Sequence, residues 1–269
     1  MTAPTRLTPR SLGGLKIVKV GEMAPRFNAL IYGDPGVGKT RLCASSDLVP
    51  EMRNVLILDV DGGALSAKEV YPNVSRIKVN AFHELQDIYD DLLANASHGF
   101  QTVCIDTGTE AQKYSMAAIM AKVVADAEAE GKERTEEVPS IREWGITSEQ
   151  IRRMVRGYRD LPMNFLMTCH VADDEDKRTG IVKKSPDLPG KLKRQVAGFF
   201  DEVWYMYTKT VKSEEEGGEA RELRLLMTAA STTITAKDRT DKLPKIITDC
   251  NMKSIYGILT GVKPNDASN

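Results

Sequence analysis

The sequence has few cysteines and no excess of either charge. Its 269 residues include four cysteines, which lie far apart and form no CxxC pair, so neither a disulfide framework nor a zinc knuckle is predicted. Lys and Arg number 37 against 38 Asp and Glu, for a net charge of -1. This balance excludes a protein that binds nucleic acid or membranes through its overall positive charge. Any contact with a polyanion has to come from a local patch.

Long hydrophobic runs are missing as well. No apolar stretch approaches the roughly 18 residues of a membrane span, and the N-terminus lacks the apolar stretch of a signal peptide. We therefore expect a cytoplasmic protein that contacts no membrane. The composition that remains, 41% apolar and 28% charged, supports a buried core and is typical of a globular protein.

Short apolar runs alternate with helix-compatible segments over most of the chain. A long helix is predicted at about 110–134, and Thr147-Ser148-Glu149-Gln150 predicts a capping box at the start of the next helix. Strands are predicted at 27–32, 55–58, 102–105 and 164–169. Because the strand interiors are almost continuously apolar, the pattern predicts an α/β fold with a mostly parallel sheet and helices on both faces.

The last third of the chain has a different texture. Glu202–Thr208 and Arg221–Met227 flank a Glu-rich stretch with Gly217-Gly218, which predicts a C-terminal antiparallel hairpin with an acidic tip. The predicted organisation is an N-terminal arm at 1–26 with a short edge strand at 15–20, a single domain at 27–261, and a C-terminal tail at 262–269.

The segment that follows the first strand of the domain matches the phosphate-binding pattern G-x-x-x-x-G-K-[ST], and the required strand and helix flank it. Its glycines let successive backbone N–H groups approach phosphates closely. Lys39 is expected to reach the β- and γ-phosphates of ATP, and the Thr40 hydroxyl to coordinate Mg²⁺. The predicted nucleotide-binding residues are Gly33, Asp34, Pro35, Gly36, Val37, Gly38, Lys39, Thr40 and Arg41.

Polar residues at three later strand ends are candidates for the rest of this site. Asp106 is expected to complete the Mg²⁺ site with Thr40, although a strand end can also carry a capping Asp. Asp59 and Asp61 share a face of the second strand, and one of them is expected to orient the attacking water, with a solvated loop carboxylate as the alternative for either residue. His170 is placed to contact the γ-phosphate or the water, and a purely structural histidine is the alternative.

The segment from Lys177 to Arg194 is rich in basic residues. It has seven cations and one acid, Asp187, and its Gly and Pro residues predict a mobile loop rather than a helix face. Such a loop is suited to track the phosphates of single-stranded DNA, with an ordinary solvated loop as the alternative. It has no aromatic residues, so base stacking would fall to Phe199, Phe200 or residues elsewhere. The candidate DNA-binding residues are Lys177, Arg178, Lys183, Lys184, Lys191, Lys193 and Arg194.

The order of these motifs resembles that of the RecA-like P-loop ATPases, and within them the small phage nucleotide-binding proteins of single-strand annealing and recombination. The likeness covers the chain from Phe27 to about Gly261. It rests on the P-loop, Leu56–Asp61, Ile105–Thr107 and Thr168–His170, and on three downstream segments, Pro186–Lys191, Phe200–Val203 and Thr235–Arg239.

The resemblance implies a RecA-like P-loop NTPase core and an ATPase whose active sites depend on assembly. Asp61 matches the family's water-polarising Glu but is one methylene shorter. His170 takes the place of the polar residue that couples the γ-phosphate to a DNA-binding loop, which the resemblance places at 171–190. Lys237 and Arg239 match basic residues that reach the nucleotide of a neighbouring subunit. The predicted catalytic residues are thus Lys39, Asp61, Asp106 and His170.

The predicted function is that of an oligomeric ATPase, a ring or a filament, that uses ATP and Mg²⁺ and promotes annealing or strand exchange of single-stranded DNA. A single-strand DNA-binding protein is a further expected partner, and the location is the host cytoplasm if the chain is phage-encoded. The alternative is a nucleotide-gated assembly protein without direct DNA activity.

Overall fold

A computed structural model describes residues 11–12, 15–16, 26–134, 138–211 and 220–261. Two short strands, β1 (Ser11–Leu12) and β2 (Leu15–Lys16), form an antiparallel pair. Most of the predicted arm, the Gly217-Gly218 tip of the hairpin and the predicted tail lie outside the described residues. No helix of the described ranges is long and apolar enough to cross a membrane.

The central elements follow the predicted alternation of strands and helices. In chain order they are β3 (Asn28–Gly33), α1 (Lys39–Ala44), β4 (Val55–Asp59), β5 (Ser75–Lys78), α2 (Phe82–Ala94), β6 (Thr102–Asp106), α3 (Gly108–Ala129), α4 (Ile141–Asp160) and β7 (Asn164–Cys169). The later elements are β8 (Val171–Glu175), β9 (Val182–Pro186), α5 (Leu192–Phe199), β10 (Glu202–Val211), β11 (Arg221–Met227), β12 (Lys237–Asp238), β13 (Ile246–Thr248) and α6 (Met252–Thr260).

These strands confirm the predicted α/β fold with a mostly parallel sheet. The nine-stranded sheet has the order β13-β11-β10-β3-β7-β6-β4-β5, and β12 pairs with β10. All neighbours from β10 to β5 in this order run parallel, whereas β11, β12 and β13 pair antiparallel. The predicted C-terminal hairpin is β10–β11, with Tyr205 opposite Met227.

Two layers of helices cover the sheet, because successive side chains of each strand point to opposite faces. Leu30 of β3 belongs to a core cluster with Leu85 of α2 and Ile151 of α4. Its neighbour Ile31 belongs to a second cluster with Leu42 of α1. The same alternation leaves strands β3, β4, β6 and β7 buried along almost their whole length.

Two helix boundaries differ from the sequence predictions. Helix α3 ends at Ala129, before the predicted 134. Helix α4 begins at Ile141 behind a capping box in which Ser140 and Glu143 bond each other's backbone N–H, so the predicted box at Thr147–Gln150 is wrong. Ser140–Glu143 and Thr147–Gln150 both match the sequence pattern of a capping box. Thr147, however, is fully buried on the inner face of α4, where its hydroxyl contacts Met116 and no helix begins.

The predicted loop at 171–190 is also wrong over much of its length. The strands β8 and β9 pair as an antiparallel hairpin, with Glu175 opposite Val182. Gly180 adopts φ 66° in the turn between them, where a residue with a Cβ would be strained. Gly180 thus marks the turn and Pro186 the end of β9, where the sequence predicts a continuous loop.

Candidate functional site

The phosphate-binding loop joins β3 to α1 in the predicted manner. Gly36 and Gly38 have φ values of 81° and 106°, which favour glycine. Gly38 precedes the first residue of α1, Lys39, whose Nζ donates to the carbonyl oxygens of Gly33 at 2.9 Å and Asp34 at 2.8 Å. Burial lowers the pKa of Lys39, an effect that nearby carboxylates oppose. The ammonium group is therefore held inside the loop that its pattern predicts to bind phosphates.

A cavity of about 450 Å³ opens at the carboxyl ends of the central strands. Because β3, β4, β6 and β7 are parallel neighbours, the residues after each strand meet at one edge of the sheet. The cavity is lined by residues of the P-loop and by Asp61, Asp106, His170 and Arg224. The structure thus brings together all four predicted catalytic residues and Thr40.

Asp106 is the most deeply placed carboxylate of this cavity. It is 1% exposed, and its Oδ2 accepts from the Thr40 hydroxyl at 2.7 Å. Its Oδ1 accepts from the Thr168 hydroxyl of the adjacent strand β7. Burial raises the pKa of Asp106, and the two hydroxyl donors oppose that rise. Burial disfavours the charged carboxylate and a nearby positive charge favours it, so this carboxylate is suited to hold a cation.

The residues around Asp106 fit a magnesium ion. Carboxylate oxygens of Asp59, Asp61 and Asp106 lie within 4.8 Å of one another. A Cβ on Gly63 would lie 2.9 Å from Asp61 Oδ1, 3.2 Å from Asp106 Oδ2 and 3.2 Å from Thr40 Oγ1, so a side chain there would fill this space. Carboxylate and hydroxyl oxygens are the ligands that Mg²⁺ prefers.

Asp59 and Asp61 have different environments although they lie two residues apart. Asp59 is fully buried, and its oxygens accept from Arg76 Nε at 2.6 Å and Gly62 N at 2.7 Å. Asp61 accepts from Gly63 N at 2.8 Å and lines the cavity. Arg76 therefore occupies the Asp59 carboxylate, and Asp61 is the better placed of the two to contact a ligand.

His170 lies between two carboxylates at the edge of the cavity. Its Nε2 is 3.9 Å from Asp61 Oδ2 and 3.9 Å from Glu110 Oε1, while its buried Nδ1 has no hydrogen-bond partner among the described residues. The His170 N–H donates to Thr109 Oγ1 at 3.0 Å, and that hydroxyl donates to Asp187 O at 3.0 Å. Asp187 N in turn donates to His170 O at 2.9 Å. These bonds tie both ends of the β8–β9 hairpin to the start of α3.

Sequence reasoning missed Glu110 and Arg224. Glu110 lies in the first turn of α3, four residues after Asp106, where it could have been noticed as a carboxylate near a phosphate site. Arg224 lies on β11 and approaches the P-loop from a distant part of the chain, with its Cδ 3.5 Å from where a Cβ of Gly38 would be. No local sequence pattern predicts the contact between Arg224 and the P-loop.

Lys237 and Arg239 lie at the opposite end of the sheet from the P-loop. Lys237 pairs with Val203 near the amino end of β10, which lies beside the amino end of β3. Its Nζ donates to Phe200 O at 2.6 Å, and Arg239 forms an ion pair with Asp201. Neither side chain reaches the P-loop of its own chain, so a nucleotide contact by them would require a second copy.

The basic segment is less positive than its sequence count predicts. Lys184 Nζ lies 2.8 Å from Asp173, because the acidic strand β8 faces the basic strand β9, and Lys193 of α5 pairs with Asp174. Asp173 raises the pKa of Lys184. Five predicted cations are exposed without an ion pair in the part of the chain that is described: Lys177, Arg178, Lys183, Lys191 and Arg194.

The two aromatic residues considered for base stacking are covered. Phe200 is fully buried in the core, so the prediction that it could stack on a base is wrong. Phe199 is partly buried, and the Arg156 guanidinium lies over its ring at 4.5 Å from the centroid. The hairpin therefore offers charge rather than aromatic surface.

A family model described as an AAA domain matches residues 26–240, which include the P-loop, Asp61, Asp106, His170 and Arg224. The flagellar accessory protein FlaH from Methanocaldococcus jannaschii is 11% identical, with 85% of this chain and 87% of that chain covered and a TM-score of 0.43. The RadB recombinase is 16% identical over 76% and 80%, with a TM-score of 0.39. An ATPase from a bacterial type III secretion system is 12% identical over 66% and 50%, with a TM-score of 0.38. No curated protein matches the chain.

Proposed function

Since the chain belongs to the AAA domain family, we propose that it binds ATP with Mg²⁺ in the cavity at the carboxyl ends of β3, β4, β6 and β7 and hydrolyses it. The observation that carries this proposal is the junction of Lys39, Thr40 and Asp106 in one cavity. A lysine, a hydroxyl and a strand-end carboxylate are the groups that P-loop NTPases use to hold the phosphates and the ion.

Each side chain of the cavity has a distinct role in this proposal. Lys39 and the backbone N–H groups of the P-loop bind the β- and γ-phosphates. Thr40 and Asp106 hold Mg²⁺, which when bound neutralises charge on the transferred phosphoryl group. Asp61 accepts a hydrogen bond from the attacking water and orients it, because its carboxylate faces the cavity while that of Asp59 is bonded to Arg76. His170 contacts the γ-phosphate or the same water.

The Lys39→Ala variant tests nucleotide binding directly. It removes the ammonium group on the phosphates, and we expect the affinity for Mg·ATP to fall at least about 100-fold in calorimetry. Lys122→Ala is the matched control, because Lys122 is an exposed lysine of α3 that does not line the cavity. Retained micromolar affinity in Lys39→Ala would overturn the proposed function.

We further propose that the protein acts in the manner of phage recombination proteins and binds single-stranded DNA through the β8–β9 hairpin and the start of α5. This proposal is supported by five exposed cations without an ion pair in the described ranges and by the bonds that tie the hairpin to His170. Neutralising phosphates releases counterions, which gives affinity without sequence preference. Because the segment lacks exposed aromatic residues, we expect annealing driven by backbone contacts rather than by base reading.

DNA binding is tested with a charge reversal of a cation that has no ion pair. We expect Lys183→Glu to weaken binding to an oligo-dT strand about tenfold and to lower the slope of log affinity against log salt by roughly 0.7 or more. Lys122→Glu makes the same charge change at an exposed position of α3 and should have no effect. Wild-type protein that binds no DNA at low salt, but changes its oligomeric state with ATP, would instead identify a nucleotide-gated assembly protein.

A further inference from the structure

A second cavity, of about 220 Å³, lies beside the phosphate-binding cavity. The two cavities share Gly38, Arg41 and Arg224. The second cavity continues from these residues toward Tyr71 and the segment Asp249–Asn251. Together the two volumes fall within the range of roughly 300–1,000 Å³ of small-molecule sites. We call the second cavity the side cleft.

The residues that line the two cavities differ from one end to the other. Asp61, Asp106 and His170 lie at one end of the larger cavity, around Thr40, where the γ-phosphate and the ion are proposed to bind. Arg41 and Arg224 lie where that cavity meets the side cleft. A nucleoside is attached to the end of the phosphate chain that is farthest from the γ-phosphate. The side cleft is therefore the space into which the nucleoside extends.

Arg224 stands at this junction with its charge uncompensated. Its backbone N–H donates to Asp249 Oδ1 at 3.0 Å, but the Asp249 carboxylate is paired with Arg221, whose Nη2 lies 3.0 Å from Oδ2. No carboxylate forms an ion pair with the Arg224 side chain in the described ranges. Its Cδ and Nε lie 3.5 Å from the Cβ position of Gly38, so the guanidinium stem rests on the P-loop. A planar guanidinium in such a place can stack on an aromatic base.

We propose that Arg224 is a nucleotide-binding residue that packs against the nucleoside half of the ligand, with the ribose and base in the side cleft. This inference rests on the proposed nucleotide binding and assigns the half of the ligand that the P-loop pattern leaves unassigned. Arg224 acts on the P-loop of its own chain, unlike Lys237 and Arg239, which lie at the other end of the sheet.

Calorimetry with two ligands tests this assignment. Mg·ATP contains the nucleoside, whereas inorganic Mg·tripolyphosphate has the phosphate chain alone. We expect Arg224→Ala to weaken Mg·ATP about tenfold and to leave tripolyphosphate affinity within about twofold of wild type, because the lost contact is to the nucleoside. Lys39→Ala should weaken both ligands. Lys209→Ala is the matched control, because it removes an exposed cation from the paired strand β10 of the same hairpin.

Two outcomes overturn the inference while leaving nucleotide binding intact. Arg224→Ala that binds ATP as wild type does would show that the side chain makes no contact with the ligand. Equal losses for ATP and tripolyphosphate would place Arg224 on the phosphates instead of the nucleoside. If the wild type binds neither ligand, the proposed function fails and the inference falls with it.

Discussion

Both ends of the central sheet collect acidic side chains, but they place them in different surroundings. At the carboxyl end, Asp61 and Asp106 face a cavity of about 450 Å³. At the amino end, Asp201 accepts from Asn28 Nδ2 at 2.6 Å and pairs with Arg239. Asp238 accepts from the Thr240 hydroxyl at 2.6 Å and from Leu243 N at 2.7 Å.

The comparison teaches that residue type alone does not mark a functional site in this fold. Asp201 and Asp238 at the amino end are bonded to neighbouring side chains and backbone, so they contribute to stability. Carboxylates at the carboxyl end surround a space that a Cβ on Gly63 would fill, so they are available to a ligand. Changes at the carboxyl end should therefore reduce activity, and changes at the amino end should alter the free energy of unfolding.

The largest expected effect is at the carboxyl end. Asp106→Asn removes the negative charge proposed to hold Mg²⁺, and we expect ATP turnover to fall at least about 100-fold. Burial raises the pKa of Asp106 above its ordinary value, so ionisation of this carboxyl group costs stability in the absence of a cation. The variant should therefore melt no lower than wild type at pH 7. Wild-type turnover in Asp106→Asn would show that activity does not require this carboxylate at the carboxyl end of the sheet.

The next effect is at the amino end, where Glu202 is 1% exposed and lies opposite Asp238. Burial, and then the Asp238 carboxylate, raise the pKa of Glu202 from 4.5 to about 8. The folded state keeps this proton between those pH values while the unfolded state loses it, so stability falls as the pH rises from about 4.5 to 8. Glu202→Gln should remove this dependence and gain on the order of 1–3 kcal/mol at pH 8.

Urea denaturation of both proteins at pH 5 and pH 8 measures the effect of Glu202→Gln. The affinity for ATP should not change. An equal pH dependence in wild type and variant would show that Glu202 does not titrate in this range.

The third effect, also at the amino end, is a loss of stability in Asn28→Ala that is smaller in size than the gain expected for Glu202→Gln. Asn28 Nδ2 donates to Asp201 Oδ2 at 2.6 Å, and Asp201 N donates to Asn28 Oδ1 at 2.7 Å. Breaking this reciprocal pair should cost about 1–2 kcal/mol of unfolding free energy. ATP affinity, measured by calorimetry on the folded variant, should stay within about twofold of wild type. A selective loss of ATP affinity would mean that the amino end supports the nucleotide site.

The smallest effect on stability is expected for Arg239→Ala, and it tests whether the amino end has a function in an assembly. The exposed pair with Asp201 contributes at most about 0.5 kcal/mol. If Arg239 reaches the nucleotide of a second copy, the variant alone should lose turnover. Mixing it with Lys39→Ala chains should restore part of that turnover, since one chain supplies the P-loop and the other the arginine. Unchanged turnover in Arg239→Ala would confine this residue to stability.

The sequence predicted most of the site because its groups follow strand ends. Gly33–Thr40 is one continuous segment with a known chemical requirement, and Asp106 and His170 each follow a buried strand that parallel pairing brings to the same edge. Arg224 was not predictable, because its contact with Gly38 depends on how β11 pairs with β10.

The basic segment shows why a count of charges within a window is incomplete. Lys184 and Lys193 are bonded to Asp173 and Asp174, which precede the window and face it only after the hairpin forms.

The capping box at Ser140 competes with the similar pattern at Thr147, and burial of Thr147 decides between them. In both cases the deciding partner is distant in sequence.

The β8–β9 hairpin is attached to the rest of the protein at its base and projects from there to a free tip. The Thr109 hydroxyl bridges His170 and Asp187 at its base, and Lys184 is held by backbone bonds with Thr233 and Thr235 at 2.8 and 3.0 Å. Two residues of each strand, Asp174–Glu175 and Val182–Lys183, project beyond Lys184, a length of about 7 Å. The positions of Lys177 and Arg178 at the tip therefore depend both on the bonds at the base of the hairpin and on the bonds at Lys184.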